Sequence, residues 1–225
     1  MEPSTTDVIV ESLTRAIVEH RLLPGTKLAE QKLADHFGVS RTLVRQALFQ
    51  LSQNRLIRLE PARGAFVATP SAEEARQVFA VRRMLETEMV RAFMAQKTPA
   101  MLRALKQHIA AEHKAMERED VGQRTELLAD FHVRIAELMG NEVLAQLLEE
   151  LLSRCALITL MYQSSSAAAH SHEEHEAIVA ALAGDDAEAV VRLMQQHLDN
   201  VQAGLTLDRE PPANDLSMAL SAIAP

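Results

Sequence analysis

Three histidines in the second half of the chain have the residue type and the setting of metal ligands. His132, His175 and His197 stand in separate segments, each flanked by apolar residues that would face the interior of a folded protein. Imidazole binds Zn²⁺, Ni²⁺ and other divalent ions, so three converging imidazoles would form a metal site. Spacing along the chain does not establish convergence, and a histidine on an apolar face is commonly an ordinary core residue. The pattern alone leaves both interpretations open.

A second group of candidate functional residues is basic and lies in the first third of the chain. Between positions 36 and 64 five arginines accompany a single acid, Glu60. The whole chain has a formal net charge of −8, so this stretch differs in charge from the rest. Arg41 and Arg45 stand at the start of an apolar-periodic segment, "SRTLVRQALFQL". Arginine pairs with guanine and with phosphate, so the pattern indicates a nucleic-acid contact.

The segments around these arginines predict a winged helix-turn-helix unit. Apolar periodicity predicts helices at about 7–21, 29–36 and 41–53, and Gly38 and Ser40 form the turn before the third. "LIRLE" and "AFVAT" then alternate apolar and polar residues at period two, joined by "PARG", which predicts a hairpin. In such a unit the third helix enters the major groove of DNA with its N-terminal end toward the bases.

The predicted DNA contacts come from the start of the third helix and from the tip of the hairpin. Arginine at the helix start can pair with guanine or bind phosphate, and glycine at the tip lets the backbone approach DNA closely. The residues are Ser40, Arg41, Thr42, Leu43, Arg45, Arg63 and Gly64. In the alternative interpretation Arg41 and Arg45 only solvate a helix face, which would be the default for an isolated pair.

Beyond position 70 the sequence predicts helices only, which makes the fold mainly α. Pro, Gly and capping residues divide this part into six helical segments, at about 72–96, 99–119, 123–139, 142–163, 171–183 and 186–205. Six helices of this length predict one bundle. We therefore expect a DNA-binding domain, a helical effector-binding and dimerisation domain and a weakly ordered tail, at 1–70, 71–206 and 207–225.

Polar residues at the predicted helix starts provide the expected caps. Ser71 is followed three residues later by Glu74, which is the capping-box pattern. Asn141, Ser171 and Asp185 are the expected caps of later helices. These residues mark where the predicted helices begin.

The stretch "LLPGTKLAEQKLADHFGVSRTLVRQALFQLSQNRLIRLEPARGAFV" runs from a Pro-Gly turn to a G-x-F-V wing. It resembles the DNA-binding domain of the GntR family of bacterial transcriptional regulators, which implies binding to double-stranded DNA. Leu43 stands where proline is usual, Gln46 where glutamate is usual, and Asn54-Arg55 where a glycine commonly ends the third helix. Leu43 restores a backbone N–H and adds bulk near the groove, so it bears on base preference rather than on DNA binding.

Four motifs in the second part, "VRRMLETE", "FHVRIAELMGN", "SHEEHEAIVAAL" and "VVRLMQQHL", are similar to those of the FCD effector domain in the FadR-like branch of that family. The resemblance implies a divalent metal ion, with Zn²⁺ or Ni²⁺ preferred, held by His132, His175 and His197. Many FCD domains add an aspartate four residues before the first histidine. Leu128 occupies that position here, and Asp130 points about 200° away around the helix. Either the metal has three protein ligands and open positions, which we favour, or the histidines bind an anion directly.

A metal with open coordination positions would bind a carboxylate or hydroxycarboxylate, which makes a small organic acid the expected effector. Arg82 and Arg154 are the candidate effector contacts, because a guanidinium pairs well with a carboxylate and Arg154 is buried by pattern. In the alternative each pairs with a glutamate four residues away, Arg82 with Glu86 and Arg154 with Glu150. His172, three residues before His175, is expected to be solvated.

These features predict an effector-responsive, DNA-binding transcriptional regulator that is not an enzyme. We expect a repressor released by the organic acid, and a homodimer on a palindromic operator, because one winged unit reads only a few base pairs. The alternatives are a regulator for which the metal is itself the signal and a three-histidine metallohydrolase.

The expected localisation is cytoplasmic, with no membrane partner. Cys155 is the one cysteine, and neither an 18-residue uncharged stretch nor a leader pattern occurs.

Overall fold

The computed structural model describes residues 4–19, 21–118, 121–162 and 170–206, and the expected tail at 207–225 lies outside them. The winged unit comprises α1 Thr5–Val18, β1 Lys27–Leu28, α2 Glu30–Phe37, α3 Arg41–Gln53, β2 Ile57–Glu60 and β3 Gly64–Val67. Its strands pair antiparallel in the order β1-β3-β2. The predicted winged helix-turn-helix is confirmed. The sequence did not reveal β1, because a strand of two residues is too short to show a period-two pattern.

The turn between α2 and α3 depends on a glycine in the left-handed conformation. Gly38 ends α2 with φ at +63°, where a side chain is rarely accepted. Ser40 then caps α3 by accepting a hydrogen bond from the backbone N–H of Leu43. After α3, Arg55 has φ at +59°, at the place where the family pattern commonly has glycine. The left-handed conformation is therefore kept although the residue type differs.

Six helices follow the winged unit in the described part of the chain, as predicted. They are α4 Ala72–Gln96, α5 Pro99–Glu117, α6 Val121–Leu138, α7 Glu142–Tyr162, α8 Ser171–Leu182 and α9 Ala187–Ala203. Their apolar faces meet in a buried core that includes Phe93, Leu105, Phe131, Leu148 and Met194. The mainly α fold class is thus confirmed. No described helix is both long and apolar enough to cross a lipid bilayer.

Two of the predicted helix caps are wrong. Asp186, and not Asp185, caps α9, because its carboxylate accepts a hydrogen bond of 2.9 Å from the backbone N–H three residues ahead. Ser171 lies inside the first turn of α8, where it is buried and makes no cap. Asn141 and Ser71 do cap the helices that follow them.

The winged unit and the helical bundle share a buried contact. Leu157 of α7 is fully buried in a hydrophobic core whose other members all come from the winged unit. α1 of the winged unit also packs against α6 and α7. At the end of α7 the hydroxyl of Tyr162 donates a hydrogen bond of 3.0 Å to the carbonyl of Pro70, in the connection between the two units. A displacement of α7 would therefore reach the winged unit directly.

Candidate metal centre and DNA-contacting surface

Three helices of the bundle bring the candidate histidines together. His132 lies on α6, His175 on α8 and His197 on α9, and all three side chains are buried. The Nε2 atom of His197 lies 3.3 Å from that of His132 and 3.4 Å from that of His175. One ligand atom from each of the three lies within 4.8 Å of the others. Side chains from separate segments of the sequence thus meet at one point.

Each of these histidines has a carboxylate behind it. The distances from Nδ1 to the nearest carboxylate oxygen are 2.6 Å for His132–Glu86, 3.0 Å for His175–Glu112 and 2.7 Å for His197–Glu174. The contact between His132 and Glu86 has the distance of a hydrogen bond but not its angle, so it is an electrostatic contact. An ionised carboxylate only accepts hydrogen bonds, so it favours the proton on each Nδ1. The Nε2 of His197 then presents a lone pair toward those of His132 and His175.

Burial keeps two of the three imidazoles, those of His132 and His175, neutral. Desolvation lowers the pKa of His132 to about 4 and that of His175 to about 3, although the nearby carboxylates favour the charged form. Both rings are therefore uncharged at neutral pH. Lone pairs that face one another across 3.3 to 3.4 Å repel unless a positive centre lies between them. This arrangement is suited to a bound cation.

Two of the three separations between Nε2 atoms, those from His197, match a tetrahedral metal ion. Ligand nitrogens at about 2.1 Å from Zn²⁺ are separated by about 3.4 Å when the geometry is tetrahedral. The observed separations of 3.3 and 3.4 Å are close to that value. A carboxylate behind a metal-binding imidazole is also usual, because it fixes the tautomer and the orientation of the ring. The residues present therefore fit a divalent ion with three imidazole ligands.

No carboxylate joins the histidines as a further ligand in the part of the chain that the structure describes. Leu128, at the position of the aspartate in the family pattern, is half-buried on α6. Asp130 is exposed and lines a cleft of about 600 Å³ bounded by α1, α6 and α7, which the three histidines do not line. A metal here would have open coordination positions.

Glu112 on α5 is a site residue that the sequence interpretation missed. It is fully buried, and its Oε1 lies 3.0 Å from His175 and 3.4 Å from His108, while its Oε2 lies 2.9 Å from His172. Burial would raise its pKa, but hydrogen bonds from His108 and His175 lower it to about 2. The prediction that His172 is solvated is wrong, because it shares the inward face of α8 with His175. The sequence contained a signal for Glu112. It follows Leu105 by seven residues, or about two helical turns, so both lie on the same buried face of α5.

Among the described residues, Arg82 is joined to the histidine cluster through Glu86. The Nε of Arg82 lies 2.6 Å from Oε1 of Glu86, and both side chains are buried. The other oxygen of Glu86 contacts His132, and Nη1 of Arg82 lies 3.5 Å from Sγ of Cys155 on α7. The structure thus shows the ion pair that was the alternative to a direct effector contact.

Arg154 has a buried polar atom without a partner. Its side chain is half-buried on α7, and its Nε makes no hydrogen bond to any described residue. The expected alternative partner, Glu150, is exposed and forms no ion pair with Arg154 among the described residues. A buried N–H without an acceptor costs free energy unless a bound anion or water supplies one. Arg154 therefore remains a candidate contact for an anionic ligand.

Arg41 and Arg45 are exposed on α3 and share one carboxylate. Nη2 of Arg41 and Nε of Arg45 lie 2.8 and 2.9 Å from Oε2 of Glu30, at the start of α2. The arginine side chains are 53% and 59% exposed, so they are accessible while they are ion-paired. An exposed pair contributes only about 1 kcal/mol or less, so a phosphate can compete for either guanidinium. Glu30, which the sequence interpretation did not identify, holds both groups at the start of α3.

The other predicted residues at the start of α3 differ in exposure. Ser40 and Thr42 are exposed, and Leu43 is half-buried. The backbone N–H of Leu43 donates the capping hydrogen bond to Ser40. Proline at position 43 would lack that donor, so this departure from the family pattern adds a cap to α3.

The wing presents a basic tip. The guanidinium of Arg63 contacts Glu60 and lies 5.4 Å from the ring centre of Phe66, while its side chain is 72% exposed. Arg58 contacts the same glutamate at 2.8 Å. Gly64 has φ at +100°, a conformation that other residues rarely adopt. Arg63 and Gly64 therefore lie at an accessible tip, as a contact with DNA requires.

Two family models match the chain in the order of its two units. The model described as "Bacterial regulatory proteins, gntR family" matches residues 5–67, and the model described as "FCD domain" matches residues 77–200. The first match covers most of the winged unit, and the second covers most of the helical bundle and all three histidines.

Relatives are similar over most of their length. The HTH-type transcriptional repressor RspR of Escherichia coli K12 is 28% identical over 203 residues, which cover 90% of this chain and 89% of RspR. The regulator LutR of Bacillus subtilis is 27% identical over 205 residues, which cover 80% of this chain and 92% of LutR. The solved structure of a GntR protein from Rhodococcus sp. RHA1 has a TM-score of 0.78 at 26% identity, and the match covers 89% of this chain and 97% of that one.

Proposed function

Because the chain belongs to the GntR family of bacterial regulators and carries an FCD domain, it is a DNA-binding transcriptional regulator, and we propose that it is a repressor controlled at the histidine cluster. In this proposal His132, His175 and His197 hold a divalent metal ion that receives a small carboxylate effector. The observation that supports it best is the convergence of three buried Nε2 atoms, each with a carboxylate behind its Nδ1. RspR, a relative, is a transcriptional repressor by name, which supports the direction of control.

The donor set favours Zn²⁺ or Ni²⁺, since imidazole is a suitable ligand for both. When bound, the ion supplies positive charge and coordination positions that an anionic oxygen can fill. An imidazole that binds a metal is a neutral ligand, so the ion would keep its full charge toward an effector. Arg154 is the proposed second contact to the effector, because its buried Nε lacks an acceptor among the described residues. Arg82 has a different proposed role, which is to hold Glu86 against His132.

A chain of contacts joins the cluster to the winged unit. His132 contacts Glu86, Glu86 pairs with Arg82, and Arg82 touches Cys155 on α7 at 3.5 Å. Two residues further along α7, Leu157 is buried in the core of the winged unit. Ligand binding that moves His132 would shift these contacts, and α7 would transmit the shift to α1 and α3. We propose this route for the control of operator affinity.

The proposed assembly is a homodimer on a palindromic operator. One α3 reads only a few base pairs, whereas two α3 helices related by a two-fold axis can occupy major grooves about 34 Å apart. The metallohydrolase alternative has less support, because the three carboxylates at the cluster each contact the Nδ1 of a histidine and none stands beside the Nε2 atoms as a general base.

The function is tested by sequence selection followed by effector titration. Full-length protein loaded with Zn²⁺ should enrich a palindromic sequence from random duplexes. Fluorescence anisotropy with that duplex should then show weaker binding when one of a panel of hydroxycarboxylates is added, and only in the metal-loaded protein. Loss of binding with Zn²⁺ alone would favour the metal as signal. Binding that no panel member changes in either form would contradict control by a carboxylate.

Replacing Arg45 with alanine should weaken operator binding by about 1 to 3 kcal/mol, because α3 loses an exposed guanidinium. Folding should be preserved, since an exposed ion pair contributes about 1 kcal/mol or less. Anisotropy titrations at several salt concentrations would measure both the loss and, for a phosphate contact, a flatter salt dependence. Arg76→Ala is the matched control, because Arg76 forms an exposed pair with Glu73 on α4. Equal losses in both variants would contradict the placement of Arg45 on DNA.

Replacing Glu112 with glutamine should lower Zn²⁺ affinity about 10- to 100-fold, because His175 loses the charged acceptor that fixes its Nδ1–H. Competition with a chelating dye would measure the affinity. Glu117→Gln is the control on the same helix, since Glu117 is 64% exposed and pairs only with His113 among the described residues. An unchanged affinity in Glu112→Gln would show that this carboxylate does not orient a metal ligand.

A further inference from the structure

The outer face of α3 carries two side chains that no contact within the protein explains. Thr42, Arg45, Gln46 and Phe49 are exposed. Arg45 and Gln46 lie three and four residues after Thr42 and four and three residues before Phe49, so all four share one helix face. The opposite face, with Val44, Ala47, Leu48 and Leu51, is buried in the core of the winged unit. The outer face is therefore the face that α3 can present to a major groove.

The carboxamide of Gln46 is available for an external partner. Arg41 and Arg45 beside it are both held by Glu30. Gln46 is exposed and makes no hydrogen bond to another residue in the described ranges. A carboxamide offers one acceptor and two donors, so it can pair with a base that presents a donor and an acceptor side by side.

Phe49 is a large apolar side chain in a polar surface. It is 57% exposed, one turn after Gln46 on the same face. The rise between the two positions is about 4.5 Å, close to the base-pair step of about 3.4 Å. A ring in this place would therefore lie against the base pair next to the one that Gln46 meets.

From the exposure and spacing of these two side chains we infer that Gln46 reads an adenine in each operator half-site. We infer also that Phe49 packs on the C5-methyl group of a thymine in the neighbouring base pair. In the major groove adenine presents N7 as acceptor and its N6 amino group as donor, which match the glutamine carboxamide, and thymine alone presents a methyl group. The inference rests on the proposed entry of α3 into the major groove.

The adenine contact is tested by selection from random duplexes with full-length wild type, Gln46→Ala and Gln46→Glu. Wild type should prefer adenine at one position of each half-site by about 5- to 150-fold. Gln46→Ala, which adds no charge, should still enrich the half-site but lose this preference. Gln46→Glu should change the preferred base to cytosine, whose N4 amino group donates to a carboxylate. Gln50→Glu, an exposed position one turn later, is the control for added charge and should keep adenine.

Retention of the adenine preference in Gln46→Ala would overturn the inference. Failure of wild type to enrich any sequence would instead contradict the proposed entry of α3 into the groove, so the two failures are distinguishable.

The Phe49 contact has its own test, in which deoxyuridine replaces the neighbouring thymine. Loss of one buried methyl contact should weaken wild-type binding about fourfold and leave Phe49→Ala unchanged. Equal effects in both proteins would overturn that part.

Discussion

Alanine in place of His197 should abolish stoichiometric metal binding and remove the stabilisation that metal gives. His197 is the central ligand, since its Nε2 lies 3.3 and 3.4 Å from those of the other two histidines. At a free Zn²⁺ concentration about 1,000 times Kd, binding stabilises the folded state by about 4 kcal/mol. For a chain of this size that corresponds to a midpoint temperature about 8 to 16 °C higher. Elemental analysis and calorimetry with and without chelator would measure both effects.

His113→Ala is the matched control for that substitution. His113 is 61% exposed, pairs with Glu117 and stacks on His172 with 5.6 Å between ring centres, but it contacts neither Glu112 nor a proposed ligand through a described ion pair. Its loss should therefore leave metal content unchanged and lower the midpoint temperature much less than the loss of His197. His172 does not serve as a control, because it contacts Glu112 behind the cluster. If chelator lowered the midpoint temperature of His197→Ala as much as that of wild type, the metal would be bound elsewhere.

Replacing Leu157 with alanine should destabilise the winged unit by about 2 to 5 kcal/mol and uncouple it from the bundle. Leu157 is fully buried in the core of that unit, so the substitution leaves a cavity where α7 contacts it. Metal binding should be retained, because Leu157 belongs to the core of the winged unit and not to the core of the helical bundle. Chemical denaturation followed by circular dichroism would measure stability, and anisotropy would measure the response of operator binding to ligand.

Leu147→Ala provides the comparison on the same helix. Leu147 is 46% exposed, so its truncation should change stability by much less than that of Leu157 and should leave the response to ligand intact. An unaltered ligand response in Leu157→Ala protein that still binds DNA would show that α7 does not carry the signal through this contact.

The elements were predictable because their boundaries depend on local signals. Gly38, Ser40 and Asn141 act within one turn of their own position, and the structure places all three at helix ends. The exceptions are equally local. β1 is too short to show a period, and Asp185 and Asp186 are adjacent acids that differ only in which one reaches the free N–H of α9.

Only the histidines of the site could be predicted, because the carboxylates behind them are brought there by tertiary packing. The three histidines could be named from their apolar surroundings, whereas Glu112 and Glu174 gain their role only when α5, α8 and α9 pack together. His172 was misread because its exposure depends on the contact between α5 and α8. Spacing of three or four residues identifies a shared helix face, but it does not say what lies opposite that face.

The most direct test of the proposed metal centre is X-ray absorption at the zinc edge on protein loaded with one Zn²⁺ per chain. Three helices bring together the Nε2 atoms of His132, His175 and His197, and no described carboxylate joins them. The spectrum should therefore show three imidazole nitrogens at about 2.0 to 2.1 Å and a non-protein light atom in the remaining position. A first shell of oxygen alone, or with fewer than two imidazoles, would contradict a metal centre at the histidine cluster.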